Sequence, residues 1–363
     1  MIEQARTLLE THYALGEILE ISELLGGTVN RTYAVSVLND GIRQKFTIRA
    51  YNTKVTEREI RFEHALIRHL RQNGFHLAAD VIPRKNGTTY IWEESLVNGD
   101  LKPTIWAVFE FLGGEDRYTW VDTNIAAADM VSAAGVLADL HHASQGFVSP
   151  LECDRDQPGI LQFLPTFHQT YEKITQQTGD RAFDHRFLQE RDNILKATLW
   201  ADIPESDRQG LPTLAIHCDF HQGNLKYRGT EAVGVFDFDW SKIDMRLFDV
   251  ALALFYFCGN WGESDTTRDS LDSDKLALFL GAYSRQCRVW PGIEPLNQQE
   301  KKYLPAMLMA ANLFVLQWTI RDYYKVTDPD DDEYCYYFEH GISIMNWIPQ
   351  QVDLINRIAA QSG

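Results

Sequence analysis

Apolar side chains recur at every second position in two early stretches. "TYAVSV" places Tyr33, Val35 and Val37 on one face, and "KFTIRAY" does the same with Phe46, Ile48 and Ala50. That period predicts two half-buried strands. Asn39-Asp40-Gly41 between them predicts a hairpin turn. At "TERE" the period changes: Thr56 with Glu59 reads as a capping box, and Phe62, Leu66 and Leu70 follow at helical spacing. Asn86-Gly87 predicts a second hairpin between strand-like flanks. Asn98-Gly99 precedes the aromatic strand "TIWAVFEFL". Residues 1–112 are therefore expected to form an antiparallel sheet with one amphipathic helix.

Beyond Gly113 the pattern is mostly helical. Apolar residues at steps of three and four predict helices over Ala126–His142, Phe183–Leu199, Lys275–Cys287 and Gln298–Tyr324. A compact strand-bearing stretch, Leu214–Asp239, is embedded among them. The expected organisation is a sheet lobe over residues 1–112 and a larger helical lobe over 113–363, with a natural ligand cleft at their junction.

Composition narrows the function classes. The 363 residues are 45% hydrophobic and 12% aromatic, ample for packed cores. A formal charge of −17 excludes a general nucleic-acid binder and disfavours adsorption to an anionic membrane. Five scattered cysteines, Cys153, Cys218, Cys258, Cys287 and Cys335, contain no C-x-x-C pair and fit a reducing compartment. "MIEQARTLLE" lacks the order of a signal peptide, and the apolar run "DVALALFYFC" is too short to span a bilayer. A cytoplasmic location is the expectation.

Candidate chemistry concentrates in "HCDFHQGNL", His217 to Leu225. A zinc site is one reading, because His217, Cys218, Asp219 and His221 are suitable ligand types. Adjacent residues of a strand point to opposite faces, which opposes it. A Cys218 nucleophile activated by a histidine meets the same objection. The third reading is phosphoryl transfer. Asp219-x-x-x-x-Asn224 has the interval of a kinase catalytic loop, and His217 occupies the place of that loop's histidine. Two short strands joined near Arg228-Gly229 then run into Asp237-Phe238-Asp239, so a hairpin is expected to bring Asn224 beside Asp237. Hard oxygen donors of this kind suit a nucleotide-bound Mg²⁺, and Asp219 is placed to accept a hydroxyl proton.

"IHCDFHQGNL" followed by "GVFDFDWSKIDMRLFDVAL" resembles the superfamily of aminoglycoside phosphotransferases, choline kinases and type II homoserine kinases, and "LADLHHASQGF" resembles its L-x-x-L-H segment. The resemblance runs from about Leu25 to Phe257. It implies an α+β, bilobal protein-kinase-like fold and a kinase that uses ATP and Mg²⁺. It implies Asp219 as catalytic base and Asn224 and Asp237 as metal ligands. Asp239 is a further metal contact or a structural carboxylate, and Asp249 a support for the loop. Gly26, Gly27 and Asn30 would lie near the nucleotide. Arg49 stands where many relatives carry lysine, with Glu63 as its partner, while Glu59 is occupied by the capping box.

His217 is expected to brace the loop, His221 to brace it or touch substrate, and His141 and His142 to sit as cap-end residues of a helix. The acidic run Asp328–Glu333 reads as a solvated loop, or as the lining of a site for a cation. Trp106, Trp240 and Trp261 read as core, with Trp240 also able to flank an acceptor. Only "WSKIDMRLF" separates Asp239 from Asp249 and no A-P-E follows, which leaves no platform for a peptide substrate. The expected acceptor is a small, amine-bearing alcohol: homoserine-like first, choline or ethanolamine second, an aminoglycoside third. A catalytically silent nucleotide-binding scaffold and a zinc metallohydrolase are the alternatives.

Overall fold

The computed structural model describes residues 1–24, 30–97, 100–150, 158–261 and 270–362. The chain divides into two compact units, each discontinuous in sequence. The first comprises Met1–Glu115, Phe147–Arg155 and Val233–Asp239, and the second the remainder.

In the first unit, α1 (Ile2–His12) precedes β1 (Glu17–Leu24), β2 (Arg31–Asn39), β3 (Ile42–Ala50), α2 (Glu57–Gln72), β4 (Ile91–Val97) and β5 (Asp100–Glu110). The strands form one antiparallel sheet in the order β1-β2-β3-β5-β4. The predicted alternation is realised: Tyr33, Val35, Val37, Ile48 and Ala50 are buried. Asp40 and Gly41 both take positive φ, 50° and 78°, as a two-residue hairpin turn requires. Thr56 and Glu59 form the reciprocal capping box of α2, whose Phe62, Leu66 and Leu70 are buried.

Two expectations for this unit fail. A second helix exists, α1, which lays Ala5, Leu8 and Leu9 into the cluster containing Tyr33, Val35 and Trp106. Asn86-Gly87 makes a tight turn, with Arg84 N bonded to Thr88 O at 2.7 Å, yet no ladder flanks it. Pro83 has no amide to donate, and Lys85 N is taken by His12 O of α1 at 2.9 Å. The hairpin partner of β4 is β5.

The second unit carries α3 (Ala127–Ala143), α4 (Ile160–Phe163), α5 (Phe167–Thr175), α6 (Ala182–Trp200) and α7 (Glu205–Arg208). There follow β6 (Thr213–Ile216), β7 (Leu225–Arg228) and β8 (Glu231–Val235), which ends in the first unit. Then come β9 (Lys242–Met245), α8 (Arg246–Cys258), α9 (Ser273–Cys287), α10 (Gln298–Tyr323), α11 (Asp331–Gln350) and α12 (Val352–Gln361). β6 pairs with β9, and β7 with β8 through a turn at Gly229 (φ 58°). Val235 N donates to Leu77 O at 2.9 Å, which ties the end of β8 to the first unit.

Helix α10, longer than the run "DVALALFYFC" within α8, is long and apolar enough to cross a membrane, with mean hydropathy 1.4 over 18 residues. Of that window 78% is buried in the protein, and the helix carries the buried polar residues Asn312 and Gln317. It is the core helix of this unit. The acidic run is loop only as far as Asp330, which caps α11 by accepting from Asp332 N and Glu333 N; three acids occupy the first turn of that helix, where its dipole favours them. Trp106 is fully buried as expected. Trp240 and Trp261 are half-buried, packed on Trp318 and stacked on His340 respectively.

Arg246 and Glu300 form a buried two-bond ion pair (Nε–Oε1 3.0 Å, Nη2–Oε2 2.5 Å), and Glu300 also closes the capping box of α10. Arg246→Met leaves that carboxylate buried without its cation, so stability is expected to fall by about 3–5 kcal/mol. The measurement is the urea unfolding midpoint, and a loss under about 1 kcal/mol would show that the pair contributes little.

Candidate active site

The loop after β6 owes its shape to one carboxylate. Cys218 takes φ 63°, costly for a residue with a Cβ, and turns the chain out of the strand between His217 and Asp219. Asp249, fully buried on α8, accepts both His217 N (2.9 Å) and Cys218 N (2.8 Å), which holds that turn. His141 Nε2 donates to the same carboxylate at 3.1 Å, and its Nδ1 meets Tyr283 Oη at 2.8 Å. Burial by itself would push Asp249 up; the hydrogen bond from His141 and the backbone donor of His217 outweigh it and hold it below the usual range. Burial pushes His141 down toward its neutral form, against the pull of Asp249. His141 lies in the last turn of α3, as expected, and serves there as a buried partner of the loop.

Around that turn the predicted loop residues converge. Asn224 Nδ2 donates to the backbone oxygen of Asp219 at 2.9 Å and to its Oδ2 at 3.1 Å. With Nδ2 committed to Asp219, Oδ1 is the side-chain atom of Asn224 left to meet a cation. Asp219 keeps 24% of its side chain exposed. His221 Nδ1 accepts from Gly223 N at 3.0 Å, so in the neutral ring the proton sits on Nε2, which lies 3.7 Å from Asp219 Oδ2. Burial pushes His221 down to about 3, keeping it neutral. His221 braces the turn. Gln222 Nε2 extends the brace to Trp120 O and Asp122 O at 2.9 and 3.0 Å.

In the first unit a second group assembles around Arg49. Its guanidinium lies 3.4 Å from Glu63 Oε1 and 3.6 Å from Asp237 Oδ1, over the rings of Tyr51 and Phe109. Asp237 also takes positive φ, 68°. Asn30 Nδ2 donates to Asp239 Oδ2 at 2.8 Å, while Asn30 Oδ1 accepts from Asn52 N at 2.9 Å. Asp239 Oδ1 is buried without a hydrogen-bond partner among the described residues. Burial, reinforced by the charge of Asp237, pushes Asp239 well above the carboxylate range. Gly26 and Gly27 lie outside the described residues.

The site places Arg49, Glu63, Asp237, Asp239 and Asn30 together, and Asp219 with Asn224. It offers the zinc reading no ligand set: no three His, Cys, Asp or Glu side chains converge among the described residues, and Cys218 is buried. Sequence reasoning missed Tyr51, which donates to Glu63 Oε2 at 2.7 Å, and His64 behind it. Neither belongs to a motif. It also missed the bond from His141 to Asp249, although the L-x-x-L-H segment was a signal for it.

The profile of the phosphotransferase enzyme family matches residues 20–290. Homoserine kinase of Methylocella silvestris is 24% identical over 316 residues, covering 87% of this chain and 84% of that protein. Homoserine kinase of Paraburkholderia phymatum is 25% identical over 307 residues, covering 82% and 81%. Among solved structures, an amicoumacin kinase in complex with AMP-PNP, Ca²⁺ and its ligand superposes with TM-score 0.62 at 15% identity, covering 94% of this chain and 92% of that one. A microcompartment-associated aminopropanol kinase superposes with TM-score 0.60 at 17% identity, covering 98% and 99%. These likenesses show the protein-kinase-like fold. The chain belongs to the phosphotransferase enzyme family and is a small-molecule kinase that phosphorylates a hydroxyl group.

Proposed function

We propose that this kinase transfers the γ-phosphoryl group of ATP to the hydroxyl of a small, amine-bearing alcohol of homoserine type, with Asp219 as the general base. The arrangement of Asp219 carries the reading. Its carboxylate is half-exposed, steadied by Asn224 Nδ2 and presented by a turn that Asp249 locks. Asp219 would take the proton from the acceptor hydroxyl as its oxygen attacks the γ-phosphorus, and ADP departs with the bond electrons of the bridging oxygen. Arg49 would neutralise phosphate charge.

The donors fit a hard divalent cation such as Mg²⁺. Asp237 and Asp239 are paired carboxylates, one with an unpartnered buried oxygen, and too few to complete a shell without phosphate oxygens. Asn224, Asp237 and Asp239 would hold it; bound with the nucleotide, the ion supplies charge neutralisation at the phosphates. Asp239, its other oxygen held by Asn30, sets the direction of that donor pair.

Two relatives named homoserine kinase, aligned over most of the chain, support the homoserine-like acceptor. A specific observation favours a second reading, choline or ethanolamine. Beside the catalytic loop, Tyr256 packs on His221, and Trp120 on Tyr256, Trp261 and Tyr337, with ring centroids 4.9–6.4 Å apart. These four rings are half-buried, and a face of this kind attracts an alkylated ammonium.

Asp219→Asn is expected to lower kcat by at least about a hundredfold while ATP affinity, read by calorimetry, stays within about threefold; near-normal turnover would remove Asp219 from the role of base. ADP release across homoserine, ethanolamine, choline and an aminoglycoside is expected to be strongest with homoserine. A preference for choline by a factor of ten or more in kcat/KM would transfer the assignment to the aromatic face.

A further inference from the structure

Arg49 has two carboxylates within reach, Glu63 at 3.4 Å and Asp237 at 3.6 Å. Glu63, on α2, is the nearer of the two and the more deeply buried, at 3% exposed. The neighbours of Glu63 form a chain whose hydrogen-bond directions follow from chemistry alone. A guanidinium only donates, and an ionised carboxylate only accepts. Tyr51 Oη, 2.7 Å from Glu63 Oε2, must therefore give that oxygen its one proton. The Tyr51 oxygen can then only accept from His64 Nε2, 3.2 Å away. A proton on Nε2 leaves Nδ1 bare, because burial pushes His64 down to about 3 and keeps the ring neutral. Thr89 Oγ1, 2.9 Å from Nδ1, must then donate to it. One assignment satisfies every group, with all protons directed toward Glu63. Tyr51, His64 and Thr89 are all buried, so water does not compete.

We propose that Thr89, His64 and Tyr51 form a one-way hydrogen-bond chain that holds Glu63 Oε2 and so limits its claim on Arg49, making Tyr51 a positioning residue for the nucleotide. The inference rests on the reading of Arg49 as a phosphate-binding group. Without the Tyr51 proton, Glu63 loses a donor at Oε2, and the demand of its carboxylate on the Arg49 guanidinium at Oε1 grows. Arg49 is then drawn to Glu63 and away from Asp237 and the phosphates. Tyr51 touches neither nucleotide nor acceptor in this scheme. Its effect passes through Glu63.

The chain is tested by calorimetric ATP binding and by steady-state kinetics. Tyr51→Phe is expected to raise the Kd and KM for ATP about fivefold to tenfold, with the acceptor KM within twofold of wild type. In a Glu63→Gln background the same change is expected to add less than twofold, because the residue through which Tyr51 acts no longer needs its proton. Thr89→Val, farther out and milder, is expected to shift ATP affinity in the same direction by about twofold, and Thr89→Ser to restore it. The proposal is overturned if Tyr51→Phe leaves ATP affinity within twofold, or weakens it equally with and without Glu63. Arg49→Met separates the two layers: if ATP affinity survives it, the reading of Arg49 fails, whereas loss in Arg49→Met without loss in Tyr51→Phe overturns the chain alone.

Discussion

Asp249 is a fully buried carboxylate that accepts two consecutive backbone N–H groups, those of His217 and Cys218, and a third bond from His141. A lone buried anion is costly, and here each of its bonds offsets part of that cost while fixing something else. The two amide bonds hold the chain where Cys218 adopts a left-handed conformation, and that conformation turns Asp219 outward just past a strand whose last residues, Ala215 and Ile216, are buried. The bond to His141, continued to Tyr283, ties the loop to α3 and α9. The direction of Asp219, the reach of Asn224 and the bracing by His221 all presuppose this turn.

The first unit solves a different problem. It gathers Arg49, Glu63, Asp237 and Asp239, one cation among three carboxylates, with Glu63 and Asp239 buried. Hydrogen bonds commit one oxygen of Asp239 and one of Glu63. Asn30 takes Asp239 Oδ2, Tyr51 takes Glu63 Oε2, and Arg49 stands between the remaining oxygens of Glu63 and Asp237. The surplus of negative charge is what a nucleotide's cation would meet. Arginine suits such a position because its planar fork addresses two carboxylates at once, which a lysine ammonium does as a point charge only.

Much of this was legible in the sequence wherever the determinant is local. Strand alternation at Tyr33–Val37, the Thr56–Glu59 capping box and the spacing of Asp219 and Asn224 each lie within a few residues, and each appears in the structure. The failures share a cause. Helix α1 is short, and its burial comes from a sheet that follows it in the chain. The ladder expected around Asn86-Gly87 lost its amides to a proline and to that same helix. His141 read only as a helix-end residue because its partner, Asp249, lies 108 residues away.

The sequence by itself determined the class of chemistry, because phosphoryl transfer needs a base, an amide and carboxylates at short intervals, and short intervals survive in one dimension. It also determined the alternation that builds the sheet and the helical texture that follows. Only the tertiary structure decided which buried groups answer one another. The count of Asp237 and Asp239 with the N-terminal unit, the pairing of His141 with Asp249 and the run from Thr89 through Tyr51 to Glu63 join distant or unpatterned residues. Hydrogen bonds between such residues have no period and no spacing, and it is burial, absent from a linear chain, that makes them obligatory.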